Sequence, residues 1–307
     1  MSCDVVVLGS FVADVAFRTR RLPKWGETFM GETFALGPGG KGSNQAVAAA
    51  RAGAKTCFIS KLGEDAFGRL ARDTYAAEGI DTEFVFQADC ATGAAAIIID
   101  EERGENAIIV VPGACYTITP EEVDRAERAI ASAKVFVAQL ELPISVVEHG
   151  LRLAKKHGVT TVLNPAPAAS LPESIFALVD YLVPNETECS ELTGMSVATD
   201  AEAEQAADVL LKRGASNIVV TLGERGALLR NVSGSCFTKA VSAGSVVETT
   251  GAGDAFCGGF AAALAEGRAP QDAMRFGCAV AGISVTRAGT APSMPKRSEV
   301  DDLLARS

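Results

Sequence analysis

Asp254, in the run ETTGAGDAF over residues 248–256, stands where a single carboxylate can work as a base. Gly251 and Gly253 let the backbone turn tightly and leave N–H groups unshielded by side chains. The apolar helical pattern that follows brings unpaired N–H groups and a positive dipole end. Together they predict an anion hole suited to a phosphate, or to charge developing on one. A carboxylate beside a bound anion is repelled unless it has a task, and accepting the proton of an attacking hydroxyl is such a task. On this reading Asp254 is a general base, and the backbone of Gly251, Ala252 and Gly253 steadies a migrating phosphoryl group. The plain alternative is a helix N-cap, a place that Asp favours.

Further stretches carry groups of matching chemistry. In GPGGKGSNQAVAAARAGA, residues 37–54, Gly39, Gly40 and Gly42 precede a helical pattern. The spacing is not that of a Walker loop. Close backbone approach to a polar ligand is expected, with Lys41 and Asn44 as hydrogen-bonding groups; a flexible strand–helix turn is the alternative. Asp14 follows the first strand at its carboxyl end, where ligands of parallel sheets bind, and it can accept hydrogen bonds from two sugar hydroxyls. It can equally be a surface turn. Glu141, in QLELP, follows another strand end and could reach a sugar. In VPNETECSELTG, residues 183–194, Asn185 and Glu188 lie one helical turn apart on one face. Such a pair can orient a hydrated Mg²⁺ bridging nucleotide phosphates, or be an ordinary acidic helix start. Thr221, Gly223 and Gly226, in VVTLGERGALL, suit a nucleotide phosphate contact or a plain hairpin. The run from Gly9, Gly-Ser-Phe-Val-Ala-Asp, lacks the dinucleotide fingerprint, which argues against a nicotinamide enzyme.

The elements that must position these groups alternate. Val5–Leu8, Cys57–Ser60, Val135–Gln139, Thr161–Leu163, Tyr181–Val183 and Ile218–Thr221 read as strands. Ser43–Ala52, Asp65–Glu78, Pro143–His157, Ala201–Arg213, Ala252–Ala265 and Ala269–Arg287 read as helices. Several of these helices stop at glycine, as a left-handed cap favours. The rhythm predicts an α/β fold with a parallel sheet covered on both faces. Two stretches break it: Val12–Leu36, and Ala94–Asp100 with Ala107–Val111 around the polar turn EERGEN. They read as antiparallel pieces of a small β-layer at one edge.

Composition narrows the class. Hydrophobic residues make up 48% of the 307, which suits a packed globular protein. The net charge of −10 disfavours nucleic acid as a partner without forbidding a small phosphate ligand. No apolar run reaches the roughly 18 residues of a membrane span. The start, MSCDVVVLGS, reads as a first strand and not as an export signal, so a cytoplasmic location is expected. The eight cysteines form no C-x-x-C pair and there are only two histidines, which predicts reduced, buried thiols and no zinc cluster.

In their order, GGKGSNQAVAAARAGA, QLELP, LNPAPA, VPNETE, TLGERGA and ETTGAGDAF resemble the ribokinase branch of the PfkB carbohydrate kinase family, from Val5 to the tail VTRAGTAPSMP. The resemblance implies ATP-dependent phosphorylation of the terminal hydroxyl of a pentose, O5 for ribose. It implies a ribokinase-like three-layer α/β/α fold, with a central mostly parallel sheet and a small β-sheet lid. Residues 1–307 would form a single kinase domain, with residues 12–37 and 94–111 as the lid and as the contact of a homodimer. Asp254 resembles the family's catalytic base, with Gly251, Ala252 and Gly253 as the anion hole. Val12, Ala13, Asp14, Gly40, Lys41, Gly42, Ser43, Asn44 and Glu141 fall at sugar-binding positions. Asn185, Thr221, Leu222, Gly223, Glu224, Arg225, Gly226, Gly253 and Cys278 fall at ATP-binding positions. Glu188 matches the acidic residue that orders Mg²⁺ and phosphate. Glu248, Thr250, Ser284, Arg287, Gly289 and Ser293 match a monovalent cation site, for K⁺.

Three positions depart from the ribokinase pattern. Val12 stands where Asn is usual, as an apolar residue does in deoxyribokinases, which raises 2-deoxyribose as the acceptor. Glu248 stands where Asp is usual, and Cys278 where a polar residue commonly faces adenine. A different sugar or nucleoside kinase of the same family is the nearest rival. A non-catalytic sugar-binding regulator is a further one, against which the presence of Asp254 with its glycine turn argues.

Overall fold

A computed structural model describes residues 3–100, 102–103 and 105–306. In chain order the elements are β1 (Val5–Leu8), β2 (Val12–Thr19), β3 (Thr33–Gly39), α1 (Lys41–Arg51), β4 (Thr56–Gly63), α2 (Ala66–Glu78), β5 (Val85–Ala88), β6 (Thr92–Asp100) and β7 (Glu105–Gly113). Then follow α3 (Pro120–Arg125), α4 (Glu127–Ser132), β8 (Val135–Ala138), α5 (Ile144–Lys156), β9 (Thr160–Leu163), α6 (Glu173–Phe176), β10 (Tyr181–Leu182), α7 (Glu186–Thr193) and α8 (Asp200–Lys212). The chain closes with β11 (Asn217–Thr221), β12 (Ala227–Asn231), β13 (Gly234–Thr238), α9 (Ala252–Ala265), α10 (Pro270–Ser284) and α11 (Arg297–Leu304).

The main sheet runs β13-β12-β11-β10-β9-β8-β1-β4-β5. It is parallel from β11 to β5, and β12 and β13 add an antiparallel edge. β1 shows why it must be covered on both sides. All of its residues are buried, and the period of two sends Val5 and Val7 into one core with Ala46 and Phe260, while Val6 and Leu8 enter the other with Val147 and Leu151. A parallel sheet puts the carboxyl ends of its strands along one edge. Ser10, Glu141, Asn164, Asn185 and Thr221 all lie at or just past such ends.

The second sheet has the order β3-β2-β6-β7. β2 pairs antiparallel with β3 and β6 with β7, as expected, but β2 and β6 run parallel, Val12 opposite Gly93 and Arg18 opposite Ile99. The all-antiparallel expectation is corrected by connectivity: β2 and β6 are joined through β3, α1, β4, α2 and β5, a long connection that returns the chain in the same direction. The strands extend the expected limits to residues 12–39 and 92–113. Of the EERGEN turn between β6 and β7, Glu101 and Gly104 lie outside the described residues.

Candidate active site

Helix α9 opens without a side-chain cap. Its N-cap is Gly251, held at φ +80, a conformation that favours glycine, and no side chain hydrogen-bonds the first turn. The Ala252 N–H is taken by the Thr249 carbonyl at 3.1 Å. The N–H groups of Gly253 and Asp254 then face outward with no partner inside the helix. Other helices show that a cap was available: Asp65, Thr119, Asn185 and Thr199 each cap their own first turn. The uncapped turn lines a cavity of about 130 Å³ with Lys41, Asn164, Asn185, Glu188, Thr221 and Thr249. Asp254 is on that wall, only 6% exposed. Its Oδ2 accepts from Asn44 Nδ2 and its Oδ1 from Gln45 Nε2, both at 2.9 Å. The N-cap alternative for Asp254 is excluded, because Gly251 holds the cap position.

Lys41 begins α1 and lines the same cavity. Burial works against its ammonium, but the carboxylates of Asp254, Glu141 and Glu188 together hold its pKa above the ordinary lysine value. The glycines before it have a packing reason: a Cβ on Gly42 would lie 2.5 Å from Gly9 Cα and 2.6 Å from Ser10 N. Strand β1 and helix α1 can touch there only because both residues lack side chains. Two of the turn's N–H groups are used internally. Lys41 N–H donates to Glu141 Oε2 at 2.8 Å, and Ser43 N–H to the Ser10 carbonyl at 2.9 Å. Glu141 also accepts from the Ser10 hydroxyl, so its carboxylate clamps the start of α1. Ser43 is fully buried beside the Tyr75 hydroxyl, and Ala13 lies in the core. Neither side chain lines the cavity.

Asp14 lies two residues from Val12 on one face of β2, and Val12 is nearly fully buried. The Thr290 hydroxyl is 3.2 Å from Asp14 Oδ2. Burial pushes the Asp14 carboxyl up to about 6; the Thr290 contact opposes this, and the charges of Glu141, Asp254 and Glu248 add to it. In the unfolded chain the value is near 3.9. Between about 4 and 6 the folded protein therefore binds more protons than the unfolded one, so stability falls as pH rises through that window, by up to about 3 kcal/mol. Asp14→Asn is expected to raise the melting temperature more at pH 8 than at pH 4. Thermal denaturation at both pH values checks this, and equal shifts would remove Asp14 as the strained carboxylate.

On the opposite wall, Asn185 caps α7 in a reciprocal box with Glu188. Asn185 Oδ1 accepts from Glu188 N–H at 2.8 Å, and Glu188 Oε2 from Asn185 N–H at 2.9 Å. The acidic helix start is real: Asn185 and Thr187 are exposed, but Glu188 is buried, and burial raises its pKa against the Asn185 hydrogen bond and the Lys41 charge. Thr221 ends β11, and the turn Gly223–Arg225 carries the chain into β12. Of that run only Thr221 lines the cavity. Leu222 is buried, Glu224 is exposed, and Arg225 pairs with Glu186 at 2.6 Å and with Asp200. Cys278 is buried in α10, which pushes its thiol up to about 12.

The six residues of the expected cation site come from segments that the backbone ties together. The Val247 and Glu248 N–H groups donate to the Val285 carbonyl, and Gly289 N–H donates to Glu248 Oε2 at 2.9 Å. Ser284 and Ser293 hydroxyls donate to the Ala281 and Thr290 carbonyls, Thr250 is exposed, and the Arg287 guanidinium is paired with Glu299. That guanidinium cannot ligate a cation, so Arg287 could contribute only its carbonyl.

Sequence reading missed the network behind Asp254. Gln45 Nε2 also donates to Asn164 Oδ1 at 3.1 Å, Gln139 Nε2 donates to Gln45 Oε1 at 2.7 Å, and Asn164 Nδ2 donates to the Val183 carbonyl at 2.9 Å. Ser10, Thr249 and Thr290 were missed as well. The available signal was position: each sits within or beside a glycine-rich turn or a strand end already singled out.

Residues 3–297 match the family described as pfkB family carbohydrate kinase. A ribokinase of Haemophilus influenzae is 40% identical over 99% of this chain and 99% of its own. A deoxyribokinase of Salmonella typhi is 37% identical over 98% of this chain and 99% of its own. The structure of Arabidopsis thaliana ribokinase complexed with ribose and ATP superposes with a TM-score of 0.94 at 34% identity, covering 100% of both chains. With an uncapped glycine turn, a buried aspartate and a match over nearly its whole length, the chain belongs to the PfkB family of carbohydrate kinases.

Proposed function

We propose that the chain transfers the γ-phosphoryl group of ATP to the terminal hydroxyl of a pentose, D-ribose giving ribose 5-phosphate. The observation that carries this reading is Asp254, buried at the mouth of the uncapped helix α9 and oriented by Asn44 and Gln45. Sugar lies against Asp14, Lys41 and Asn44, whose Oδ1 has no hydrogen-bond partner among the described residues. Asp254 takes the hydroxyl proton. The N–H groups of Gly253 and Asp254, with the Lys41 ammonium, stabilise the equatorial oxygens, since phosphoryl transfer depends mainly on positioning and charge. The donor set of Asn185 and the buried Glu188 suits a hard cation held through water; bound there, Mg²⁺ would neutralise nucleotide phosphate charge. K⁺ would sit at the Glu248–Gly289 junction, and a cytosolic setting keeps the unbridged thiols reduced. An ATP-consumption assay over ribose, 2-deoxyribose, fructose and nucleosides, with and without K⁺, tests the reading. Turnover with fructose or nucleosides and none with either pentose would overturn it.

A second reading, 2-deoxyribose as preferred acceptor, is favoured by Val12. An apolar side chain on the Asp14 face of β2 cannot hydrogen-bond a hydroxyl. Polar site groups discriminate strongly by a hydroxyl and apolar ones weakly. Val12→Asn is expected to shift the kcat/KM ratio toward ribose over 2-deoxyribose. An unchanged ratio would show that Val12 does not sense the 2-position.

The small sheet supports a homodimer. Register puts Leu36, Val15, Ala96 and Ile109 in one row, and Phe34, Phe17, Ile98 and Ala107 in the next row on that face. Asp14 points to the other face. Phe34 is 61% exposed, Leu36 46%, Ile109 66% and Val111 59%, an apolar patch of the kind that marks interfaces. Leu36→Asp with Ile109→Asp is expected to convert a dimer into a monomer in analytical ultracentrifugation. A single species of unchanged mass would exclude this face as the contact.

A further inference from the structure

The mechanism makes no use of a side-chain group at the other edge of the main sheet, among its amino-terminal strand ends. Cys3 precedes β1, Cys57 is the second residue of β4, and Asp81 lies just before β5, bridged to Cys57 in a parallel β-bridge. Their sulfur and carboxylate oxygen atoms all lie within 4.8 Å of one another. Among the described residues no other trio of His, Cys, Asp or Glu side chains is so placed. Cys57 is fully buried, Cys3 is 7% exposed and Asp81 is half-buried, so the group opens outward on one side.

We infer that Cys3, Cys57 and Asp81 bind one thiophilic divalent ion, Zn²⁺ by preference, with water in the fourth position. Two thiolates and a carboxylate are zinc ligands, and three protein ligands leave a tetrahedral position open. Soft thiolates select such an ion over Mg²⁺, the hard cation of the reaction. Zn–S bonds near 2.3 Å require sulfurs roughly 3.8 Å apart, so the observed spacing needs only small side-chain movement. Binding is balanced by loss of one proton from each thiol, which leaves the metal, two thiolates and the ionised Asp81 with one net negative charge. The hydrogen bond from Cys57 to Cys3 lowers the Cys3 thiol pKa, against burial, and the same bond together with burial raises that of Cys57, so the ion must displace the Cys57 proton. The third ligand is prepositioned. Asp81 N–H donates to the Thr56 carbonyl and Phe58 N–H to the Asp81 carbonyl, each at 2.9 Å. Glu83 N–H donates to Asp81 Oδ1 at 3.0 Å, orienting the carboxylate and leaving its other oxygen for the ion.

The test uses the full chain, kept reduced with a phosphine and titrated with Cd²⁺ alone, reading the thiolate-to-cadmium charge-transfer band. The expected result is saturation at one ion per chain, with Zn²⁺ competing. Cys3→Ser abolishes the tight phase, and Asp81→Asn weakens it at least about 10-fold. Cys90→Ser and Cys236→Ser leave it unchanged. Absence of the band at one equivalent, its persistence in Cys3→Ser, its loss in Cys90→Ser, or a Cys3–Cys57 disulfide formed under mild oxidation would each overturn the inference. Cys3→Ser is chosen over Cys57→Ser because Cys3 precedes β1 whereas Cys57 lies within strand β4, and a melting curve of the variant checks that it folds.

Discussion

Asp254→Asn is expected to fold normally and to lose at least ~100-fold in kcat. The amide keeps the volume of the buried side chain and can still accept from Gln45 or Asn44, so α9 stays in place. It cannot take a proton from an attacking hydroxyl. General-base help is worth roughly 10²–10⁴-fold, and the uncapped N–H groups of α9 remain to supply the residual rate. Steady-state kinetics with a melting curve check the expectation. Wild-type turnover by a folded variant would refute the role, and the proposed reaction with it.

Gln45→Leu is expected to have the second largest effect, through Asp254 and not through substrate. Gln45 joins Asp254, Asn164 and Gln139 in one buried chain of hydrogen bonds. Leucine would leave Asp254 Oδ1 and Asn164 Oδ1 without donors, and Gln139 Nε2 without its acceptor. A hydrogen bond to a charged group contributes about 1.5–3 kcal/mol, which corresponds to roughly 10- to 100-fold if it is expressed in the rate. The loss should fall on kcat, with the KM for sugar little changed, because Gln45 does not line the cavity. A rise in sugar KM at constant kcat would instead make Gln45 a binding residue.

The main sheet was legible because buried parallel strands are short apolar runs, and β1, β4, β8, β9 and β11 are such runs. The parallel partnership of β2 with β6 was not legible: it joins residues some eighty positions apart, and local alternation carries no direction. Asp254, Lys41 and Asn185 stood out because glycine turns and strand ends announce close backbone approach, and the structure brings all three to one cavity. Gln45 did not stand out, since glutamine is an ordinary helix residue and only packing shows that its amide is turned inward. Ser43, its neighbour by two positions, was read as facing the ligand from the same motif. The turn of α1 sends it to the Tyr75 side instead. Spacing along a helix sets such facing only once its first residue is known, and α1 starts at Lys41, two residues before the expected Ser43.

The small sheet leaves the body of the protein on very short stems. Only residues 9–11 separate β1 from β2, and Gly40 alone separates β3 from α1. No slack remains in either stem to absorb a swing of the sheet. Whatever tilts it must also rotate the first turn of α1, which bears Lys41 and Asn44, and with Asn44 the grip on Asp254. The placement of the small sheet and the aim of the Asn44 amide at Asp254 are thus tied to the same short stems.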